Sequence, residues 1–93
     1  MEIAVLEITL HMAWVHSLKE KRSEVKSLLA GIRNKFNASA IESDMQDMHQ
    51  TAVITVAMAV SDRAAGDAMM EKVTGFVEQN SGAVITEIIR EYR

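Results

Sequence analysis

Ninety-three residues, 48% of them hydrophobic and 25% charged, suffice for one small core, and they exclude both a two-lobed enzyme and a disordered chain. The absence of cysteine removes thiol catalysis, disulfides, thiolate zinc sites and iron–sulfur clusters together. Thirteen acids against ten bases, a formal charge of −3, argue against a generic polyanion binder while leaving local patches open.

The chain opens Met1-Glu2-Ile3-Ala4-Val5-Leu6-Glu7, with acids where a secretory leader carries bases, which predicts a cytoplasmic protein. From Glu2 to Met12 the residues alternate. Ala4, Leu6, Ile8 and Leu10 point one way, and Ile3, Val5, Glu7, Thr9 and His11 the other, so this segment is expected to be a strand with one apolar face. From Ser17 the period changes. Leu18, Val25, Leu28, Leu29, Ile32 and Phe36 fall within an arc of about 100°, the pattern of an amphipathic helix. Ser17 followed three residues later by Glu20 is a capping box, and Asn37 fits the helix end. Ala38 to Asp44 alternates weakly, as a short edge strand does, and Met45 to Gln50 is a polar connection.

Thr51 to Val60 carries the clearest strand pattern, with Ile54, Val56, Met58 and Val60 on one face and Val53, Thr55, Ala57 and Ala59 on the other. It is also the longest apolar stretch, about half of what a membrane span needs, so no membrane partner is expected. Ser61 or Asp62 then caps a second helix running to about Asn80 and burying Ala65, Met69, Val73, Phe76 and Val77. Asn80-Ser81-Gly82 ends it, and Ala83 to Tyr92 returns to strand. The order β-α-β-β-α-β with right-handed crossovers predicts one α+β domain over residues 1–93. This is the ferredoxin-like split βαβ, a four-stranded antiparallel sheet in order 4-1-3-2 with both helices on one face.

That topology brings the loop after the first strand and the hairpin between the second and third strands to one end. There His11, Trp14, His16, Asp44, Asp47, His49 and Gln50 gather. Imidazoles and carboxylates are ligands for zinc or iron and also serve as acids and bases, but the five-residue step from His11 to His16 presets no geometry, so no metal or other cofactor is assigned. A small-molecule or metal-binding protein centred on His11, His16 and His49 remains an alternative. Trp14, in a loop, is either a lid over the core edge or an exposed contact residue.

The first helix carries a stronger signal. Lys19, Arg22, Lys26 and Arg33 fall within about 60° of one another beside the apolar arc. Ser17 to Phe36 holds six cations and two acids, a net +4, and the rest of the chain four cations and eleven acids, a net −7. Lys19, Lys21 and Arg22 crowd the first turn, where the helix dipole disfavours cations, and such an arrangement is useful if an anion docks there. Lys19, Lys21, Arg22, Lys26 and Arg33 are accordingly the candidate nucleic-acid or anion contacts, with Trp14, His16, Asp47 and His49 as neighbours.

Other nucleic-acid modes are disfavoured. The central strands offer no aromatic between Ile3 and Thr9 or between Val53 and Ala59 for a base to stack on, and the four glycines never form Gly-x-x-Gly. The loop from His11 to His16 lacks the glycines that a phosphate-cradling loop needs, so an enzyme is the less favoured reading. The small apolar residues on the open face point instead to a second subunit, which predicts a homodimer through the sheet.

The run His16-Ser17-Leu18-Lys19-Glu20-Lys21-Arg22, with Val25-Lys26-Ser27-Leu28, Asn34-Lys35-Phe36-Asn37 and Asp47-Met48-His49-Gln50, resembles the YlxP-like family of small bacterial proteins, a domain of unknown function. The resemblance spans nearly the whole chain. It implies a ferredoxin-like fold, a bacterial cytoplasm, and genes often lying beside those for translation initiation and ribosome maturation factors; ribosomal RNA or a ribosome-associated protein is then the expected partner. The family usually has Pro-Gly where Ala13-Trp14 stands here, and Trp followed by Gln-Arg where His49-Gln50-Thr51 stands.

Overall fold

The period-two alternation at the start of the chain becomes β1 (Glu2–His11) in the computed structural model, which describes residues Met1–Arg93. Ala4, Leu6, Ile8 and Leu10 are fully enclosed, and each buried leucine or isoleucine stabilises the fold by about 1.5–3 kcal/mol relative to exposure. The remaining elements are α1 (Leu18–Lys35), β2 (Ser39–Asp44), β3 (Thr51–Val60), α2 (Arg63–Ser81) and β4 (Val84–Tyr92). Strand order is β2-β3-β1-β4 with antiparallel neighbours throughout, which is the expected ferredoxin-like arrangement. The inner faces of β1 and β3 meet Val25, Leu28, Leu29 and Ile32 of α1 and Met70, Val73 and Val77 of α2 in one continuous core.

The helix ends follow capping chemistry with one displacement. Ser17 Oγ accepts from the Glu20 N–H at 3.0 Å, but the Glu20 carboxylate accepts from the backbone N–H of His16 and not of Ser17, at 2.8 Å. Asp62, the second of the two expected caps, accepts from the Ala65 N–H at 2.8 Å. Helix α1 ends at Phe36, one residue before the expected Asn37, and α2 ends on Gly82, whose φ of +67° is a left-handed conformation that costs glycine nothing.

The buried line of α2 differs from expectation. Gly66, Met70, Val73, Thr74 and Val77 are enclosed, and Ala65, Met69 and Phe76 are only half-buried. Two contacts go with this line. The Tyr92 ring lies so close against Gly66 that a Cβ there would sit 2.5 Å from Tyr92 Oη. Thr74 turns its hydroxyl back onto the Met70 carbonyl at 2.8 Å, which makes its burial inexpensive.

Each edge strand carries a bulge. In β4 the register passes from Leu10↔Ile85 to Thr9↔Glu87, leaving Thr86 as the extra residue. In β2 it passes from Glu42↔Ile54 to Asp44↔Val53, leaving Ser43 extra. Ahead of that bulge Glu42 pairs with the enclosed Ile54 and so occupies an inward position, which is why the alternation of this segment looks weak in the sequence.

Candidate functional site

The five cations nominated on α1 divide into two kinds. Lys21 is fully buried, contrary to its expected role as a phosphate contact. Its ammonium donates to the carbonyls of Met45, Gln46 and Thr51 at 2.7, 3.3 and 3.1 Å, and these use all three of its protons. Glu42 Oε2 lies 2.9 Å from the same nitrogen as an ion pair, yet accepts no directional hydrogen bond of its own. Lys21 therefore ties the first turn of α1 to the β2–β3 hairpin and has nothing left to offer a ligand. The signal was present: Lys21 follows Leu18 by three residues and precedes Val25 by four, which puts it on the buried arc, not on the cationic flank.

The other four cations remain at the surface. Lys19, Arg22, Lys26 and Arg33 are exposed. Arg22 reaches Asp47 at 3.9 Å, but both side chains stand largely in solvent, where such a contact contributes little. Arg33 donates to the Ala40 carbonyl of β2, which anchors its guanidinium while keeping its charge. Lys19 and Lys26 pair with no acid.

A cleft of about 400 Å³ opens at the end of the sheet beside the start of α1. The ends of β1 and β3 supply His11 and Thr51, the β1–α1 loop supplies Val15 and His16, and the hairpin supplies Met48, His49 and Gln50. All three histidines of the chain border this space. Gln50 braces it, since its amide donates to the carbonyls of Ala13 and Val15 at 3.1 and 3.0 Å and so ties the hairpin to the loop. No three His, Asp or Glu side chains are arranged to hold a metal ion. The sequence brought these residues to one end; it carried no sign of the bracing role of Gln50. Trp14 lies outside the cleft, 39% exposed, with a Cβ at Gly82 coming within 3.8 Å of its ring.

A second polar cluster lies at the opposite end of β1. The Tyr92 hydroxyl has one proton and two acceptors, the Arg63 carbonyl and the Asp67 carboxylate, and the Arg63 guanidinium sits 5.0 Å from the centre of its ring. Desolvation, then the hydrogen bond to Asp67 and its negative charge, push the phenol from 10.0 up to about 12. The neutral phenol is thus favoured in the folded state, so its contribution to stability is complete below pH 10 and is lost as pH rises from 10 towards 12. Tyr92 is the sole tyrosine, so phenolate absorbance reports it alone. Its midpoint should lie near 12 in the folded protein and fall in Asp67→Asn; a folded-state midpoint at the unfolded value would refute this environment.

Comparison with known proteins places the chain among small proteins without an assigned activity. A family model described as "Protein of unknown function (DUF503)" matches residues 3–90. The chain is 36% identical over 62 residues to "Uncharacterized protein YlxP" of Bacillus subtilis (strain 168), an alignment covering 67% of each chain. No helix is long and apolar enough to cross a membrane.

Proposed function

We propose that this chain, which belongs to the DUF503 family of proteins of unknown function, is a non-enzymatic cytoplasmic module that binds RNA phosphates along the exposed flank of α1. The observation that carries the reading is that Lys19, Arg22, Lys26 and Arg33 stand on one solvated flank, with a single loose carboxylate contact among them. Phosphate binding needs this kind of surface: cations whose charge no internal carboxylate neutralises, spaced along a rigid rod. Ribosomal RNA is the proposed polyanion, in keeping with the neighbouring genes that the YlxP-like resemblance implies. The test is binding of the purified protein to small-subunit ribosomal RNA and to intact subunits at low and moderate salt. Binding that is absent, or indifferent to salt, overturns the reading.

A second reading rests on a different observation. The face of the sheet away from the helices presents Ile3, Val5, Ala57 and Ala59 as adjacent pairs on β1 and β3, with Ile41 beside them at 56% exposure. A second copy of the chain would cover this apolar patch, giving a homodimer whose basic helices point outward. Light scattering should then return twice the monomer mass, and a monomer at high concentration removes the dimer without touching the phosphate reading.

A further inference from the structure

Neither phosphate binding along α1 nor packing of the core requires that every histidine of the chain border one cleft. The three residues are exposed, and outside the strand ladders the one hydrogen bond made by a histidine comes from the backbone N–H of His16. Histidines that serve the fold show the reverse, with rings enclosed and nitrogens satisfied. Nor do the rings meet at a point, since no group of three potential ligands is arranged to hold an ion. They stand around a volume of about 400 Å³, within the range of sites for small organic ligands.

We infer that this cleft receives an unpaired nucleobase, with His11, His16 and His49 as its stacking and hydrogen-bonding surfaces. Imidazole suits both tasks, because its face stacks on a base and its neutral ring carries one donor and one acceptor. Val15, fully buried, belongs to the floor beneath the cleft, and the apolar contact falls to Met48, 54% exposed, an unbranched side chain able to adjust to a flat ligand. Gln50 adds a fixed acceptor: with its amide N–H group held by Ala13 and Val15, its Oε1 remains for an exocyclic amine.

The inference rests on the phosphate reading of α1 and narrows it. The helix begins immediately after His16, so Lys19 and Arg22 follow at about 5–9 Å along its axis, and Arg22 reaches Asp47 on the hairpin that carries His49. A strand whose phosphates lie along α1 can place one base in the cleft. A paired base has its edge and both faces occupied, so the preferred RNA is single-stranded or carries an unpaired loop.

The experiment uses the full chain and separates the two readings. Imidazole NMR signals are followed while adenosine, guanosine, cytidine and uridine, all lacking phosphate, are added; affinities for a short unstructured RNA and a duplex of equal length are then compared in wild type and in His11→Ala/His49→Ala. Saturable shifts of the histidine signals, single-strand binding at least about tenfold tighter than duplex binding, and loss of that preference in the variant without a change in salt slope are expected. Both residues are exposed, so the variant keeps its core. Unperturbed histidines with equal single-strand and duplex binding overturn the base site while leaving the phosphate surface standing. Nucleoside shifts without salt-dependent RNA binding do the opposite, identifying the cleft as a site for free nucleosides.

Discussion

Replacing Lys21 by methionine lowers stability by about 3–5 kcal/mol, the usual cost of removing one partner from a buried ion pair. For a domain of this size each kcal/mol shifts Tm by about 4–8 °C, so a fall of about 12 °C or more is expected in a thermal melt. Methionine keeps most of the apolar stem and removes the ammonium, so the loss reports the polar contacts and not a cavity. Three carbonyls lose a donor, and the enclosed Oε2 of the half-buried Glu42 is left with no counter-charge. The hairpin is vulnerable in another way, because Met45 sits at φ +57°, a left-handed conformation unfavourable for a residue with a Cβ. Its carbonyl is held by Lys21 at 2.7 Å, and its N–H donates to Asp44 Oδ1 at 2.8 Å. Two controls sharpen the result. The double variant Lys21→Met/Glu42→Leu, which removes both charges of the pair, should recover part of the loss. Arg22→Met, one residue along and in solvent, should change stability by about 0.5 kcal/mol or less. A Lys21→Met protein as stable as Arg22→Met would show that the ammonium is not the tie described here.

The charge-reversed variant Lys19→Glu/Lys26→Glu should lose most of its affinity for RNA while remaining folded. If the flank neutralises about four phosphates, wild-type affinity falls by about 50- to 150-fold between 50 and 200 mM salt, from slopes of about 0.7 per contact on single strands and 0.9 on duplexes. Removing two of the contacts about halves the slope, and the two new carboxylates add repulsion, so binding at low salt should weaken by about tenfold or more. Neither lysine takes part in an ion pair, so the melting temperature should hardly move. That combination separates a binding role from a structural one. Unchanged affinity and slope would leave the flank as solvated surface and turn attention to the open sheet face.

The architecture was legible in the chain because the signals that specify it are local and repeated. Alternation from Glu2 to Met12 and from Thr51 to Val60, a 3.6-residue period from Leu18 to Phe36, and caps at Ser17 and Asp62 agree with one another, and right-handed crossovers then leave a single simple topology. The same locality explains the error at Lys21. Its position on the apolar arc was visible, but a lysine on a buried arc is satisfied only if acceptors from elsewhere arrive there. Those acceptors are the carbonyls of Met45, Gln46 and Thr51, between 24 and 30 residues away, together with the carboxylate of Glu42, which its pairing with Ile54 faces inward.

The burial pattern of α2 has the same character, since Tyr92, at the far end of the chain, packs against Gly66, while Met70 is fully enclosed and Met69 lies at the edge of the core. So does the cleft. Composition and topology brought His11, His16 and His49 to one end of the molecule, whereas the contacts of Gln50 with Ala13 and Val15 decided that they border a common space. The sequence by itself thus determined the elements, their order and the cationic flank of α1, because each follows from neighbours within a few turns or strand steps. Which polar groups are buried, which lysine is structural and where the chain forms a cleft were decided only by the tertiary structure, because a buried polar group is stable only where distant segments deliver its partners.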